Sequence, residues 1–99
     1  MHVISRSRLV EFWLDHPASE KPLRYWYHIA SKAQWRHFLD VKASFPAADA
    51  AGKLVIFDIG GNAYRLVAYI DYSYQTVFVR WVLTHAEYDR KRWKGDPWY

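Results

Sequence analysis

The segment LVIFDIGGNAYRLVAYIDY, residues 54–72, has the pattern of a β-hairpin. Its central Gly60 and Gly61 accept the positive φ of a tight hairpin turn. Runs rich in β-branched and aromatic residues, which are typical of strands, lie on both sides of this turn and once more downstream, at 54–59, 63–72 and 76–83. Consecutive hairpins of this kind predict an antiparallel meander in the second half of the chain.

Side chains alternate between the two faces of the second and third predicted strands. One face carries no charge and is expected to lie under helices; its residues are Tyr64, Leu66, Ala68, Ile70, Val77, Val79, Trp81 and Leu83. The other face is mixed, is expected to be open to solvent, and carries Arg65 and Arg80. A turn near Ser73 and Tyr74 predicts that these two arginines are direct or diagonal neighbours, within reach of one phosphate.

The first half of the chain shows the three-and-four residue spacing of buried helical faces. A short first helix ended by Pro17 and a longer second helix capped by Ser19 are predicted. Their buried residues are Leu9, Phe12 and Trp13 in the first and Leu23, Trp26, Ala30 and Ala33 in the second. A further helical turn over 41–45 is expected to be capped by Asp40.

Thr84 and Glu87 form a T-x-x-E capping box, which predicts a C-terminal helix after the last strand. The predicted fold class is α+β, with two N-terminal helices packed on a three- to four-stranded antiparallel sheet and a short C-terminal helix. The chain has 99 residues, of which 52% are hydrophobic, and this is enough for one core. We expect a single domain over residues 1–99.

His85 and Tyr88 lie one turn apart at the start of that helix, beside the end of the strand that carries Arg80. An imidazole that titrates near neutrality, a phenol and guanidinium donors suit acid–base chemistry on a phosphate ester. The neighbouring arginines repel each other unless acids such as Asp58 or Asp71 compensate them or an anion binds there. The predicted site therefore contains Arg65, Arg80, His85 and Tyr88.

The formal net charge of +4 favours a polyanionic partner. Basic residues are interleaved with tryptophans near the C-terminus, at Arg90, Lys91, Arg92 and Lys94. Such a mixture can bind an RNA backbone and stack on its bases, or the tryptophans can pack back on the fold. The sequence leaves both interpretations open.

The composition argues against several classes of site and location. The chain has no cysteine, so disulfides and thiolate zinc sites are excluded, and a cytoplasmic location is expected. No two histidines have the spacing of metal ligands, and neither a metal nor another cofactor is predicted. Charged residues interrupt every apolar run far short of the ~18 residues of a membrane helix, and the N-terminus does not resemble a signal peptide. We expect no membrane partner.

Two motifs, G-G-N-x-x-R at 60–65 and T-H-x-E-Y-D at 84–89, together resemble the HigB family of bacterial toxin–antitoxin modules. The resemblance runs nearly end to end and includes the start MHVI, Trp26, Trp35 and the connector KASFPAAD at 42–49. It implies a RelE-like fold and an mRNA interferase, which cuts message without a metal, typically on the translating ribosome. It also implies a helix-turn-helix antitoxin that represses the operon, so that DNA is contacted only through the antitoxin.

The resemblance also implies residue roles. His85 and Tyr88 would be the general base and acid, in either order, while Arg65 and Arg80 would hold the scissile phosphate. Lys53 and Asn62 match polar positions of the family and are candidates for orienting the RNA, although Asn62 is also a typical turn residue.

Two other functions remain open at this stage. One is a basic RNA-binding or ribosome-binding module without chemistry. The other is a gyrase-directed toxin like the related ParE toxins, which share the fold, and against which the T-H-x-E-Y-D motif argues.

Overall fold

The computed structural model describes residues 1–99 and has the predicted α+β fold. Its helices are α1 (Arg6–Asp15), α2 (Glu20–Lys32), α3 (Phe38–Ser44) and α4 (His85–Asp89), with short 3-10 turns at Pro17–Ser19 and Arg92–Gly95. Its strands are β1 (His2–Ile4), β2 (Asp49–Ala51), β3 (Leu54–Ile59), β4 (Tyr64–Asp71) and β5 (Thr76–Thr84). None of the helices has the length and apolar character needed to span a bilayer.

The sheet has five strands in the order β1-β5-β4-β3-β2. The strands from β2 to β5 pair antiparallel, as predicted, whereas β1 pairs in parallel with β5 at the outer edge. The prediction of three to four antiparallel strands is therefore corrected to a mixed sheet of five. The predicted hairpin turn is confirmed, because Gly60 and Gly61 have φ values of +62° and +67°.

The helices cover one face of the sheet and enclose the main core, a cluster of 17 buried residues. Phe57 of β3 lies at its centre, and its ring packs against the rings of Trp26, Trp35 and Phe45 at centroid distances of 5.2 to 6.3 Å. Aromatic pairs in these offset and edge-on arrangements add to the stabilisation that burial supplies. The buried stripe predicted for α2 is confirmed for Leu23, Trp26 and Ala30.

A β-bulge between Val67 and Ala68 shifts the register of β4 and β5. Ala68 lies opposite Val79, and Val67 lies opposite Trp81, so Arg80 is the extra residue of β5. An extra residue changes which side chains of the bulged strand face each side of the sheet beyond it.

This bulge corrects two sequence predictions. Trp81 and Leu83 do not face the helices but pack on the opposite face, while Val82 packs against the main core. Arg65 lies opposite Leu83, so it is not the direct or diagonal neighbour of Arg80 that simple alternation predicts.

The second face of the sheet is not open to solvent, because the C-terminal segment packs on it. Its buried cluster consists of Leu54, Ile56, Val67, Leu83 and Trp93, with Tyr69, Trp81, Tyr88 and Trp98 at its border. Of the two interpretations of the C-terminal tryptophans, the structure supports packing back on the fold.

The helix α3 begins earlier than predicted. His37 occupies its N-cap position, and Asp40 lies in the first turn rather than at the cap. The Asp40 carboxylate accepts a hydrogen bond from the backbone N–H of Arg36 at 2.9 Å, and this bond lowers the pKa of Asp40 below its ordinary value. Asp40 therefore stabilises the entry to α3 from within the helix.

Candidate active site

The junction of β5 and α4 holds His85 in place. The predicted capping box is confirmed: the Thr84 hydroxyl accepts from the Glu87 N–H at 3.2 Å, and the Glu87 carboxylate accepts from the Thr84 N–H at 2.9 Å. The backbone N–H of His85 donates to the carbonyl of Ala63 at 3.1 Å. This bond joins the start of α4 to the turn between β3 and β4.

His85 is paired with a carboxylate one helical turn away. Its Nδ1 atom lies 2.9 Å from a carboxylate oxygen of Asp89, at the i, i+4 spacing that brings side chains together on a helix. A carboxylate at Nδ1 favours the tautomer with its proton on that nitrogen, and Nε2 then accepts hydrogen bonds. The imidazole side chain is 45% exposed, so a substrate can reach it.

Arg65 is buried and is held by three groups. Its Nε atom lies 3.2 Å from the Asp58 carboxylate, so the predicted compensation by Asp58 is confirmed. Its Nη1 atom donates to the carbonyl of Tyr64 at 3.1 Å, and Nη2 donates to Oδ1 of Asn62. A guanidinium has five N–H groups in a fixed plane, and these contacts orient it while leaving N–H groups for an anion.

Tyr88 stacks on an indole and also contacts a cation. Its ring lies 5.2 Å from that of Trp93 at an interplanar angle of 4°, and the Arg65 guanidinium carbon lies 5.3 Å from its centre. Burial raises the pKa of the Tyr88 phenol, and three carboxylates raise it further against the opposing effect of Arg65: Asp49, Asp58 and Asp89. The phenol therefore keeps its proton and can donate it.

Arg80 has a different environment. Its Nε and Nη2 atoms donate to both oxygens of Asp96, at 3.1 and 3.2 Å, and its guanidinium lies 4.1 Å from the Trp98 ring centre. The Asp96 side chain is only 3% exposed and also accepts from the Trp81 indole and the Trp98 N–H. Burial opposes ionisation of Asp96, but these hydrogen bonds together hold its pKa below the ordinary value. Arg80 thus ties the C-terminal segment to the sheet.

The remaining predicted RNA-binding residues are spread along the second face. Lys53 lies in the turn between β2 and β3, and the adjoining Gly52 packs against Tyr99, at the end of β3 remote from Asp58. The others follow α4 and are exposed, namely Arg90, Lys91, Arg92 and Lys94. Arg90 and Arg92 line a cavity of about 160 Å³, which Trp81 and Trp93 also line.

Arg65 contacts Asn62 and Tyr88, and the His85 backbone bonds to the adjoining turn, whereas Arg80 contacts Asp96 and Trp98 instead. Sequence reasoning missed Asp89 as a partner, although the i, i+4 spacing to His85 is a usable signal. It also missed Asp96, whose partners become neighbours only through the tertiary fold. No group of three or more His, Cys, Asp and Glu side chains is placed to hold a metal ion.

Comparisons with known proteins found one matching family model and several relatives. Residues 19–91 match the model of a family described as HigB_toxin, RelE-like toxic component of a toxin-antitoxin system. The mRNA interferase HigB of Escherichia coli O6:H1 is 29% identical over 93 residues, which cover 91% of this chain and 90% of that protein. The mRNA interferase toxin HigB of Escherichia coli K12 and the mRNA interferase HigB of Shigella flexneri are each 30% identical over 92 residues, covering 90% of this chain and 88% of theirs.

Proposed function

Because this chain belongs to the HigB family of RelE-like toxins of toxin–antitoxin systems, we propose that it is an endoribonuclease that cleaves mRNA. The relatives named mRNA interferase support the substrate class. The observation that carries the proposal is the His85–Asp89 pair beside the oriented guanidinium of Arg65. Base, phosphate ligand and proton donor are the three groups that RNA cleavage needs.

In the proposed reaction, Nε2 of His85 removes the proton of a ribose 2′-OH. The 2′-oxygen then bonds to the adjacent phosphorus, and the bond from phosphorus to the 5′-oxygen of the next nucleotide breaks. Asp89 orients the imidazole and stabilises the imidazolium that forms, an attraction that water weakens because the Asp89 side chain is 60% exposed. The products are a 2′,3′-cyclic phosphate, which opens to a 3′-phosphate, and a 5′-OH.

Arg65 and Tyr88 act on the other side of the phosphate. The guanidinium of Arg65, fixed by Asp58 and Asn62, binds the non-bridging oxygens, on which negative charge grows in the transition state. Tyr88 donates its proton to the departing 5′-oxygen. The phenol, whose pKa is raised by burial, enters the reaction protonated.

Arg80 and the basic residues around α4 have a supporting role in this proposal. Arg80 is tied to Asp96, so its charge is offset and it contributes mainly to the C-terminal packing. The exposed side chains of Arg90, Lys91, Arg92 and Lys94 give the surface a positive field and contact RNA phosphates, and Lys53 extends this surface to the far end of the sheet.

The cellular setting belongs to the same proposal. The reaction needs no metal, because His85, Tyr88 and Arg65 supply each proton transfer and the phosphate binding. The substrate is message on translating ribosomes in the cytoplasm. A helix-turn-helix antitoxin silences the toxin and alone contacts DNA.

The test compares induced expression of the wild type with His85→Ala while 5′ ends of cellular mRNA are mapped. We expect growth arrest and new 5′-OH ends with the wild type only, because general-base catalysis contributes about 100- to 10,000-fold. The matched control is His37→Ala, since His37 is also exposed and lies 3.9 Å from a carboxylate, that of Asp40. His37 is remote from α4 in sequence and pairs with α3, so this variant should cleave normally.

The same cultures separate the alternatives. Arrest by His85→Ala without new mRNA ends would contradict the nuclease and favour a binding module, while damage to DNA topology would favour a gyrase-directed toxin. Purified protein with and without ribosomes tests ribosome dependence. Cleavage that persists in EDTA supports the metal-free reaction, and loss of cleavage in EDTA contradicts it.

A further inference from the structure

The helix α4 carries both His85 and Tyr88 but has little stability of its own. It has five residues, His85–Asp89, and none of them is buried. Isolated helices this short are not stable in water, because forming the first turn is unfavourable. The positions of its side chains therefore depend on contacts that other parts of the chain make with the two ends of the helix.

The capping box and the Ala63 carbonyl hold the first end, at His85, and Trp93 holds the end at Tyr88. The last carbonyls of a helix have no partner within it. The carbonyl of Tyr88 accepts two hydrogen bonds from the segment that follows, one from the indole Nε1–H of Trp93 and one from the backbone N–H of Lys91, each at 3.0 Å. Trp93 thus restrains the backbone at the residue that carries the phenol.

The indole ring of Trp93 also supports the phenol ring. The two rings are parallel within 4°, with their centroids 5.2 Å apart. Stacking of this kind favours one orientation of the tyrosine ring over others. A single residue therefore restrains both the backbone and the side chain of Tyr88.

Trp93 is itself firmly attached to the sheet. It is 2% exposed and packs in the second buried cluster, with residues of β3, β4 and β5. The chain reaches this position by reversing at Lys91, whose φ of +59° is uncommon for a residue with a Cβ. Side chains in a close-packed core have little freedom, so the contacts of Trp93 fix Tyr88 relative to the strands that carry Arg65.

We infer that Trp93 is a positioning residue for the proton transfer from Tyr88 to the departing 5′-oxygen. Because Trp93 is almost inaccessible, it acts through Tyr88 and not on the RNA. A misplacement of about 1 Å in a reacting group can lower a rate about 100-fold, so the restraint matters for catalysis. The inference rests on the proposed function and adds to its site a residue that lies outside α4.

A tryptophan that only fills the core would have different kinetic consequences. Its loss would lower the fraction of folded protein, and cleavage of every RNA would fall by the same factor. Loss of a residue that positions the acid slows only those reactions that need the proton of Tyr88. The two roles are therefore separated by an RNA whose leaving group needs no proton.

The test compares cleavage of an ordinary RNA with cleavage of an RNA whose bridging 5′-oxygen is replaced by sulfur. Trp93→Leu removes both the hydrogen bond and the ring, and we expect its kcat on the ordinary RNA to fall about 10-fold with little change in KM. On the sulfur RNA it should cleave at the wild-type rate. Trp93→Phe keeps a ring but lacks the N–H, and should lose only about threefold on the ordinary RNA, the effect of one hydrogen bond.

The matched control is Trp98→Leu. It removes another indole of the C-terminal segment, and that ring contacts Tyr69, Phe78 and Arg80 rather than Tyr88. Per folded molecule, this variant should cleave both RNAs at the wild-type rate. A second readout combines Trp93→Leu with Tyr88→Phe: the double variant should be no slower than Tyr88→Phe alone, because effects that act through one group do not add.

The outcomes separate this inference from the proposed function. Equal losses on both RNAs, or a double variant whose loss is the product of the single losses, would overturn the inference and leave Trp93 as a core residue. Wild-type rates in both Trp93 variants would overturn it as well, with the nuclease intact. If Trp93→Leu does not fold, the same comparison of the two RNAs with Trp93→Phe decides. A wild type that cleaves neither RNA would contradict the proposed function, and this inference with it.

Discussion

Arg65 and Arg80 have the same kinds of neighbours, but the carboxylates that pair with them differ in exposure. Each guanidinium pairs with one carboxylate and stacks on one aromatic ring: Asp58 and Tyr88 for Arg65, Asp96 and Trp98 for Arg80. The side chain of Asp58 is 36% exposed, whereas that of Asp96 is 3% exposed.

The exposure of the partner decides what each arginine can do. An exposed carboxylate tolerates reorganisation when an anion approaches, so Arg65 can exchange contacts with a phosphate. A buried carboxylate without its cation strongly destabilises the fold, so separating Arg80 from Asp96 has a large cost in free energy. In the proposed mechanism, identical residue types on one sheet face therefore serve chemistry at one end and packing at the other.

The largest expected difference is in activity. Arg65→Ala should reduce kcat about 100- to 1,000-fold, because it removes a positioned donor to the developing charge. It should lower the free energy of unfolding by only about 1 to 2 kcal/mol, since Asp58 can be hydrated. Cleavage rates on a defined RNA measure the change in kcat, and thermal melts of the same preparations measure the change in stability. A variant that cleaves within threefold of the wild type would show that Arg65 does not bind the reacting phosphate.

Arg80→Ala should show the reverse pattern. We expect a loss of about 2 to 4 kcal/mol in the free energy of unfolding, because Asp96 stays buried without its cation. Activity per folded molecule should fall only a few-fold. Urea unfolding followed by tryptophan fluorescence, with rates measured well below the transition, tests this. Full stability together with lost cleavage would reverse the comparison and restore Arg80 to the catalytic set.

The sequence predicted what local patterns determine. The spacing in α2, the positive φ at Gly60 and the Thr84–Glu87 capping box all depend on neighbours within a few residues, and the structure confirms them. The two motifs that resemble HigB toxins predicted the family, and the family comparison confirms it.

Long-range features escaped prediction for physical reasons. The strand β1 has three residues, too few for a periodic signal, and pairs with β5 more than 70 positions away. The bulge at Arg80 has no signature in the sequence, yet it moves Trp81 and Leu83 to the other face. Asp96 acquires its partners only when the C-terminal segment folds back.

Tyr88→Phe tests whether Tyr88 donates the proton to the departing 5′-oxygen. The variant keeps the stacking on Trp93 and Arg65 but has no proton to give, so the rate should fall about 10- to 100-fold, with water as the substitute donor. Melting temperature should change little. In an RNA whose 5′-oxygen is replaced by sulfur, the 5′-thiolate leaves without protonation. The variant should therefore cleave this RNA at the rate of the wild type. If the loss is as large on this RNA, Tyr88 is not the acid.

The smallest expected effect concerns pH and Asp96. The pKa of Asp96 is lower in the folded chain than its ordinary value of 3.8. Ionised Asp96 therefore stabilises the fold above about pH 4. This stabilisation disappears as the pH falls through the pKa of the folded state. The difference in free energy of unfolding between wild type and Asp96→Asn should therefore be about 1 kcal/mol or more at pH 6 and shrink toward pH 3. Urea titrations at four pH values measure it. A difference that stays constant across this range would mean that packing of the C-terminal segment, rather than the charge pair with Arg80, holds Asp96 in place.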